Sequence, residues 1–471
     1  MHEEAAALAQ LTVSPIEHIR HLKFPAAKTL RIYDSTLRDG EQMPGIAFSP
    51  HQKLIIAREL SELGCHILDV GFPAVSAGER KALELILLAR RQGTIRPDLE
   101  ILVMCRTLTE EIDRTIDCIR EMGFGPNDVT FLLFTSASGL HCKYKLGPLL
   151  LRIERASTAD IRDVPVDYFY EANCRLVESA IRYARARGVT SIEFGAEDAS
   201  RTPIGKLVDL VKTAAAAGAK RYVFADTTGC LTPEATEFYC SALARALPGM
   251  ELASHFHNDF DLATVNVITA IRHGFTTFAT TVNGIGERAG NAPLHSVVVA
   301  LRFLYQMQIP GFRYERLPTI RRVVEEFSGI PVSALEPVIG HNAFAHESGI
   351  HARGVRIHRS IYEAIPYEAV GGVPRKVFGK HSGVGGILEV LHAHQEQISA
   401  PITRELAEDI LAEIKLIREE RSECGANRIW IEQYYAHLEG LGLTEEEVLG
   451  HAIRVLSRRE ATIKSQRQSR L

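Results

Sequence analysis

Three adjacent runs set the pattern of this chain: RIYDSTL (31–37), HQKLIIARELSELG (51–64) and HILDVGF (66–72). The first and last are short and rich in apolar residues, as strands covered by helices are. The middle run has apolar residues at 54, 55, 56, 60 and 63, the spacing of one face of a helix. The stretch therefore predicts a strand, a helix and a second strand parallel to the first.

The same alternation continues to residue 284. Six more strand-like runs follow, with helix-like segments between them: EILVMCR (100–106), DVTFLLF (128–134), SIEFGA (191–196), RYVFADT (221–227), ELASHFH (251–257) and TFATTVNG (277–284). Eight such strands predict an α/β fold of the (β/α)8 type, a TIM barrel. A doubly wound sheet would also alternate, but it usually has fewer strands, and no glycine-rich phosphate turn follows the first strand here.

The character of the sequence changes on either side of this repeat. We predict an N-terminal extension (1–29), a barrel (30–310), a linker and lid segment (311–400) and a small helical domain (401–471). The lid segment is rich in glycine, histidine and basic residues between 340 and 386, which is typical of loops. LTEEE (443–447) supplies a threonine N-cap and an acidic first turn for the last helix. Within the barrel, residues 146–167 are predicted to be an insertion.

Charge, cysteine content and hydropathy exclude several classes of protein. The 471 residues include 54 Lys and Arg against 58 Asp and Glu, so the chain lacks the broad basic field of a nucleic-acid-binding protein. It has no apolar stretch near the ~18 residues that span a membrane, and its start does not resemble a signal peptide. Eight cysteines without a C-x-x-C pair disfavour a disulfide scaffold. We expect a cytoplasmic protein without nucleic-acid or membrane partners.

The carboxyl ends of the predicted strands carry a candidate metal site. In a TIM barrel the active site lies at these ends. His255 and His257 are two residues apart on strand seven, so both side chains point to one face, and Asp39 follows strand one across the same mouth. Two histidines and one carboxylate leave open positions for a catalytic divalent metal (Mn, Mg, Zn or Co), and Asn291 can add an amide oxygen. Taken alone, an H-x-H pair is also found among ordinary core or surface histidines.

Two further charged residues are candidates for catalysis. Arg38, beside Asp39, can stabilise negative charge on a substrate oxygen, or it can simply form a salt bridge to Glu41 or Asp34. Glu193 lies in the apolar run of strand five, where a carboxylate is costly unless it is paired or used, and we favour its use. Glu197 and Asp198 follow the same strand and either take part in the chemistry or cap the next helix.

Two polar segments lie near or beyond the end of the barrel. The glycines of N-G-I-G-E-R-A-G-N (283–291) either let the backbone approach a ligand or shape a turn. H-N-A-F-A-H-E-S-G-I-H (341–351) holds three histidines, and several arginines follow it. That cluster predicts a ligand-binding segment, with a second metal site or plain surface charge as the alternatives.

Four motifs occur in order: D-S-T-L-R-D-G-E-Q-x-P-G (34–45), H-F-H-N-D (255–259), N-G-I-G-E-R-A-G-N (283–291) and H-E-S-G-I-H-A (346–352). Together they resemble the metal-dependent enzymes that condense an acyl-CoA with a 2-oxo acid, namely the 2-isopropylmalate, homocitrate, citramalate and Re-citrate synthases. The resemblance implies a Claisen-type condensation of acetyl-CoA with a 2-oxo acid on a TIM barrel, followed by hydrolysis of the thioester.

The resemblance also implies roles for individual residues. The implied metal ligands are Asp39, His255, His257 and Asn291. Arg38 binds the oxo acid and polarises its carbonyl, and His351 acts with Glu193 in the deprotonation of acetyl-CoA. Tyr362 matches a tyrosine of the homocitrate branch, and Thr228, at the end of strand six, is a further candidate for substrate binding. The post-barrel segment of such enzymes covers the barrel of a second copy, so a domain-swapped homodimer is implied.

The identity of the oxo acid stays open at this stage. Arg353 resembles a basic residue of homocitrate synthases and suggests a second anionic group, as in 2-oxoglutarate, oxaloacetate or a phosphono- or phosphinopyruvate. V-G-F-P-A-V-S (70–76) and E-D-A-S-R-T (197–202) instead resemble the isopropylmalate branch. A metal-dependent acyl-CoA lyase is a further alternative, disfavoured because the 283–291 loop lacks the cysteine of those enzymes. A non-enzymatic binding subunit is disfavoured because the candidate ligands are all present.

Overall fold

The computed structural model describes residues 13–14, 16–154, 160–423 and 425–468. Parts of the predicted N-terminal extension and of the 146–167 insertion, and the last three residues, lie outside this range. Eight parallel strands form a closed barrel in chain order, and β1 pairs with β8 to complete it. The strands are β1 (Arg31–Asp34), β2 (Ile67–Asp69), β3 (Glu100–Arg106), β4 (Thr130–Ser136), β5 (Ile192–Glu197), β6 (Arg221–Asp226), β7 (Glu251–Phe256) and β8 (Thr277–Thr280). The predicted TIM barrel is confirmed.

Helices surround the barrel. They are α1 (Ile16–Ile19), which precedes β1, then α2 (Pro50–Leu63), α3 (Ala77–Arg91), α4 (Thr109–Glu121), α5 (Gly147–Ile153), α6 (Val166–Ala186), α7 (Ile204–Ala217), α8 (Pro233–Ala246), α9 (Ala263–Arg272) and α10 (Leu294–Leu304). The predicted helix 51–64 is α2. Ser49 caps it by accepting from the backbone N–H of Gln52, and it ends at Gly64, whose φ of 103° favours glycine.

The predicted insertion contains a short helix that packs on the barrel wall. Helix α5 lies between β4 and α6, and its Leu150 and Leu151 are buried against Phe169 of α6. Cys142, which precedes α5, belongs to the same small apolar cluster. The insertion is therefore anchored by its own core beside the carboxyl end of β4.

The amino-terminal end of the barrel is closed by a network of ion pairs. Arg221, the first residue of β6, pairs with Glu100 at 2.7 Å, with Glu251 at 3.4 Å and with the fully buried Glu193. Arg31 pairs with Glu100 at 2.6 Å and with Glu251 at 3.2 Å. We call these five residues the basal charge network. Buried carboxylates are tolerated there because each faces a guanidinium group.

The structure does not support the predicted catalytic role of Glu193, because this residue lies far from the barrel mouth. Glu193 is the second residue of β5 and lies opposite Arg221 in the strand register, at the end of the barrel away from the mouth. Active sites of this fold are built at the carboxyl ends of the strands. The cost of burying this carboxylate is offset by Arg221, so the apolar surroundings that suggested a catalytic group instead mark a paired one.

The chain continues beyond the barrel as a mixed segment and then as helices. The elements are α11 (Leu317–Ser328), β9 (Ala345–His346), α12 (Gly349–Ile357), β10 (Arg375–Lys376), α13 (Val384–Ala393), α14 (Arg404–Glu423), α15 (Ala426–Glu439) and α16 (Glu445–Gln468). β9 and β10 form a small parallel pair, so the segment predicted to be loop-rich contains some regular structure. The predicted cap of the last helix is confirmed, since Thr444 accepts from the backbone of Glu447. Within the described residues, no helix has both the length and the apolarity to cross a membrane.

Candidate active site

A cavity of about 350 Å³ opens at the carboxyl end of the barrel. The strands and the loops that follow them bring its polar groups together from distant parts of the sequence. These groups include Arg38, Asp39, Glu197, Thr227, His255 and His257. The mouth of the barrel is therefore the site at which the predicted metal ligands meet.

Asp39, His255 and His257 form a cluster with the geometry of a metal site. One ligand atom from each lies within 4.8 Å of the others, and all three residues are buried. The Nε2 atoms of His255 and His257 lie 3.3 Å and 3.8 Å from Oδ2 of Asp39. The two imidazole rings stand perpendicular, with centroids 5.1 Å apart. Two nitrogens and one carboxylate oxygen on one side of a cavity suit a divalent cation with open positions.

Two buried polar atoms beside the cluster support this assignment. The side-chain amide of Asn291 donates to Oδ1 of Asp39 at 2.8 Å, which orients that carboxylate. Oδ1 of Asn291 and Nδ1 of His257 have no hydrogen-bond partner among the described residues. A buried carbonyl oxygen without a partner is costly, and a cation or its bound water can satisfy it. The donor set of the predicted ligands therefore fits a divalent metal.

Burial and neighbouring charges hold two of the ligands, Asp39 and His257, in the protonation states that bind a metal. Burial alone would raise the pKa of Asp39, but Arg38 and the two histidines outweigh it and hold that pKa well below its usual range. Burial, assisted by His255, lowers the pKa of His257 to about 4. At neutral pH the carboxylate is thus ionised and the His257 imidazole is neutral, as metal coordination requires.

Arg38 is held rigidly beside the cluster. Its Nη1 atom donates to Asp39 at 2.6 Å and its Nε atom to Asp69 at 2.8 Å. Burial alone would lower the pKa of Arg38, but these two carboxylates raise it overall. The guanidinium group is therefore a fixed positive charge at the cavity wall, as the prediction for this residue requires.

The glycines of the 283–291 loop let it fold tightly around Asn291. A Cβ atom on Gly286 would lie 2.1 Å from Nδ2 of Asn291 and 3.0 Å from Oδ1 of Asp39. Gly290 has a φ of 86°, and a Cβ atom there would lie 1.9 Å from the carbonyl oxygen of Gly284. Of the two interpretations of these glycines, the structure supports the turn, and the turn supports the candidate metal site.

Replacing Gly286 with alanine is expected to weaken metal binding by about 10- to 100-fold, the usual cost of disturbing a group that orients a ligand. The added methyl group would displace the amide of Asn291 from Asp39. Titration of the metal-free protein with Mn²⁺, followed by calorimetry, measures the affinity. Gly205→Ala is the matched control, because Gly205 is exposed on α7 with nothing within 4 Å of its Cβ position. Unchanged affinity in Gly286→Ala would contradict the assignment of Asn291.

Glu197 and Thr227 line the cavity, whereas the sequence analysis favoured residues close to them in the chain, Glu193 and Thr228. Glu197, the last residue of β5, lines the cavity, accepts from Ser136 at 2.7 Å and pairs with Lys145 at 2.5 Å. The sequence left Glu197 between a chemical role and a helix cap. Thr227 lines the cavity, whereas Thr228 does not and its hydroxyl is buried without a partner among the described residues. The structure therefore places Thr227, not Thr228, at the cavity wall, and the substrate contact predicted at Thr228 stays a prediction.

The predicted residues of the post-barrel segment lie away from this cavity. The His351 ring stacks on Tyr362 with centroids 4.1 Å apart, and both side chains are exposed. Arg353 lines a separate cavity between α12 and α13. None of the three lines the cavity at the barrel mouth, so a single chain does not bring them to the metal ligands. Their predicted roles stay predictions.

Comparison with known proteins places the chain in a family. Residues 29–324 match the family model described as HMGL-like, and this match covers more than half of the chain. The chain belongs to the HMGL-like family. Residues 338–422 of this HMGL-like protein also match the model described as homocitrate synthase post-HMGL domain-like. The predicted family resemblance is thereby confirmed.

Curated relatives of this HMGL-like protein include homocitrate synthases and 2-isopropylmalate synthases. Homocitrate synthase AksA of Methanocaldococcus jannaschii is 39% identical over 83% of this chain and 87% of its own length. The probable 2-isopropylmalate synthase of Ignicoccus hospitalis is 40% identical over 76% of this chain and 81% of its own. Among solved structures, hydroxymethylglutaryl-CoA lyase of Pseudomonas aeruginosa matches with a TM-score of 0.50 and 20% identity over 66% of this chain and 95% of that one, which shows the fold alone.

Proposed function

We propose that this HMGL-like protein condenses acetyl-CoA with a 2-oxo acid and then hydrolyses the product thioester. The methyl carbon of the acetyl group loses a proton and bonds to the carbonyl carbon of the oxo acid, whose oxygen gains a proton. Water then cleaves the thioester bond, which releases CoA and a 2-hydroxy dicarboxylate or tricarboxylate. The observation that carries the proposal is the cluster of Asp39, His255 and His257 beside Arg38, in a chain similar to homocitrate and 2-isopropylmalate synthases.

The residues of the cavity are proposed to have different chemical roles. Asp39, His255 and His257, with Asn291, would hold a divalent metal, which acts as a Lewis acid toward the oxygens of an oxo acid. Arg38 supplies a fixed positive charge for the oxygen on which negative charge develops, and it needs no reorganisation because Asp39 and Asp69 already orient it.

Glu197 is the candidate for moving a proton. The cavity is lined by three carboxylates, of which Asp39 belongs to the metal ligands and Glu287 is exposed. Glu197 remains, and its hydrogen bond from Ser136 and its contact with Lys145 fix both of its oxygens. A positioned carboxylate can take a proton from a reacting carbon or from water.

A second copy of the chain is proposed to complete the site. Histidine and tyrosine are groups that exchange protons with a substrate, and His351 and Tyr362 form an exposed stacked pair outside the cavity. Exposed side chains of this kind can reach the barrel of a partner in a domain-swapped homodimer. In this arrangement, the post-barrel segment of each copy would lie over the barrel mouth of the other copy.

Release of free CoA tests the proposed function. The protein, with Mn²⁺ or Mg²⁺, is incubated with acetyl-CoA and one 2-oxo acid at a time, and a thiol reagent reports free CoA. We expect release that needs both the oxo acid and the metal and that stops when a chelator removes the metal. A metal-loaded protein that releases no CoA with any oxo acid would contradict the proposal.

A further inference from the structure

The floor of the cavity is apolar. Away from the candidate metal ligands the lining includes four buried residues, Tyr33, Met104, Leu132 and Val223, and two half-buried rings, Phe72 and Phe134. These side chains pack together inside the barrel, and the rings of Phe72 and Phe134 meet edge to face with centroids 5.8 Å apart. We call this set the apolar floor. A wall that is packed before any ligand arrives favours a ligand group of matching polarity.

Each cation that lines the cavity already has a carboxylate partner. Arg38 is held by Asp39 and Asp69, and Lys145 contacts both oxygens of Glu197 at 2.7 and 2.5 Å. Among the described residues, the remaining lining cation is Arg288, which forms two 2.8 Å hydrogen bonds to Asp259. To pair with a cation of the same chain, a second anionic group on the oxo acid would therefore have to displace a protein carboxylate.

The basal charge network does not supply a free cation from below. Neither Arg221 nor Arg31 lines the cavity. Arg221 is only 5% exposed, and its guanidinium group is shared among Glu100, Glu193 and Glu251. A carboxylate or phosphonate pressed against the floor would thus be buried without a counter-charge, which is strongly unfavourable.

We propose that the oxo acid accepted here has an uncharged hydrocarbon side chain that lies on the apolar floor. This inference rests on the proposed function and narrows it to one class of acceptor. It departs from the dianionic acceptor that Arg353 suggested in the sequence: it is argued from the cavity of a single chain, which Arg353 of that chain does not line, and the Arg353→Met variant below tests the Arg353 of a second copy. The carboxylate and carbonyl group that all 2-oxo acids have would lie near the metal ligands and Arg38. The side chain, which differs from one 2-oxo acid to another, would point toward the apolar floor.

Gly195 sets the depth available to that side chain. It lies in β5 and lines the cavity, and a Cβ atom there would be 3.1 Å from Cδ1 of Leu132 and 3.4 Å from Cβ of Phe134. A side chain at position 195 would therefore occupy the space over two floor residues. We infer that Gly195 is a specificity-determining residue: it admits a branched hydrocarbon where a larger residue would leave room only for a methyl group.

The test compares acceptors of matched shape. Oxaloacetate is paired with 2-oxo-4-methylpentanoate, which has isopropyl in place of the second carboxylate, and 2-oxoglutarate with 2-oxo-5-methylhexanoate; 2-oxoisovalerate and pyruvate complete the set. We expect the hydrocarbon member of each pair to have the higher kcat/KM for CoA release, by at least about tenfold, the scale of one or two methyl groups in an apolar pocket. A higher kcat/KM for the dicarboxylate members would overturn the inference while leaving the condensation itself intact.

Variants of the floor sharpen the test. Gly195→Val is expected to lower kcat/KM for branched acids by at least about tenfold and to leave pyruvate and the KM for acetyl-CoA nearly unchanged. Leu132→Ala, which removes volume, should shift the preference toward the longer acid and keeps the test open if Gly195→Val does not fold. Arg353→Met should leave the ranking of acceptors unchanged. A loss confined to dicarboxylates in Arg353→Met would instead assign their binding to the post-barrel segment, and no turnover with any acid would count against the proposed function itself.

Discussion

Asp39→Asn is expected to lose metal-dependent release of CoA by at least about 10³-fold. The substitution keeps the shape of the side chain but removes the charge that Arg38, His255 and His257 surround. A bound divalent metal is worth several kcal/mol of transition-state stabilisation, and each 1.4 kcal/mol is a factor of ten in rate. Metal content after dialysis, measured by inductively coupled plasma spectrometry, should fall together with the rate.

The matched control for Asp39→Asn is Asp261→Asn. Asp261 is exposed on the same rim, does not line the cavity and has a φ of 59°, a backbone conformation that asparagine also adopts readily. It should keep its metal and its rate within about twofold, since exposed substitutions away from special features have small effects. An Asp39→Asn protein that retains both metal and turnover would remove the basis of the candidate metal site.

Glu197→Gln and Glu193→Gln should have different effects, because the two residues lie at opposite ends of β5. Glu197 lines the cavity and Glu193 lies in the basal charge network, although the two are only four residues apart. Loss of a group that moves a proton typically costs 10²- to 10⁴-fold in kcat, so we expect about that loss in Glu197→Gln. We expect Glu193→Gln to keep kcat within about threefold and to lose about 1–2 kcal/mol of stability, because Arg221 retains Glu100 and Glu251.

Steady-state rates and urea unfolding of the same two preparations provide the readouts. The informative result is the crossed pattern, in which one variant loses rate and the other loses stability. If Glu193→Gln lost as much kcat as Glu197→Gln while staying folded, the basal charge network would have to influence the chemistry from a distance. If Glu197→Gln were fully active, the proton would have to leave by another group.

Much of the fold could be predicted from the sequence because strands buried on both faces leave continuous apolar runs. The predicted strand 100–106 coincides with β3, and the predicted helix 51–64 differs from α2 by one residue at each end. The predicted strand 277–284 was too long, since β8 ends at Thr280 and the chain then turns into the glycine loop. Hydrophobic patterns locate the strands but do not show where hydrogen bonding to a neighbour stops.

The sequence analysis favoured two residues that do not line the cavity, because hydrophobic patterns do not show how far along a strand a residue lies or which face of the strand it is on. Glu193 lies near the start of the run 191–196 and Glu197 directly follows it, so strand direction alone favoured Glu197. For Thr227 and Thr228 the sequence offered no such signal, because both faces of β6 are buried and apolarity does not distinguish inside from outside. The contact of Asn291 with Asp39 joins residues 252 positions apart, and only the closed barrel brings them together.

The apolar floor also lies between two sets of ion pairs within the barrel. The basal charge network closes one end of the barrel and the ion pairs of Arg38 lie at the mouth, with packed hydrocarbon and aromatic side chains between them. We therefore expect substitutions in the basal charge network to change mainly the stability of the barrel, and substitutions in the apolar floor to change mainly the choice of acceptor.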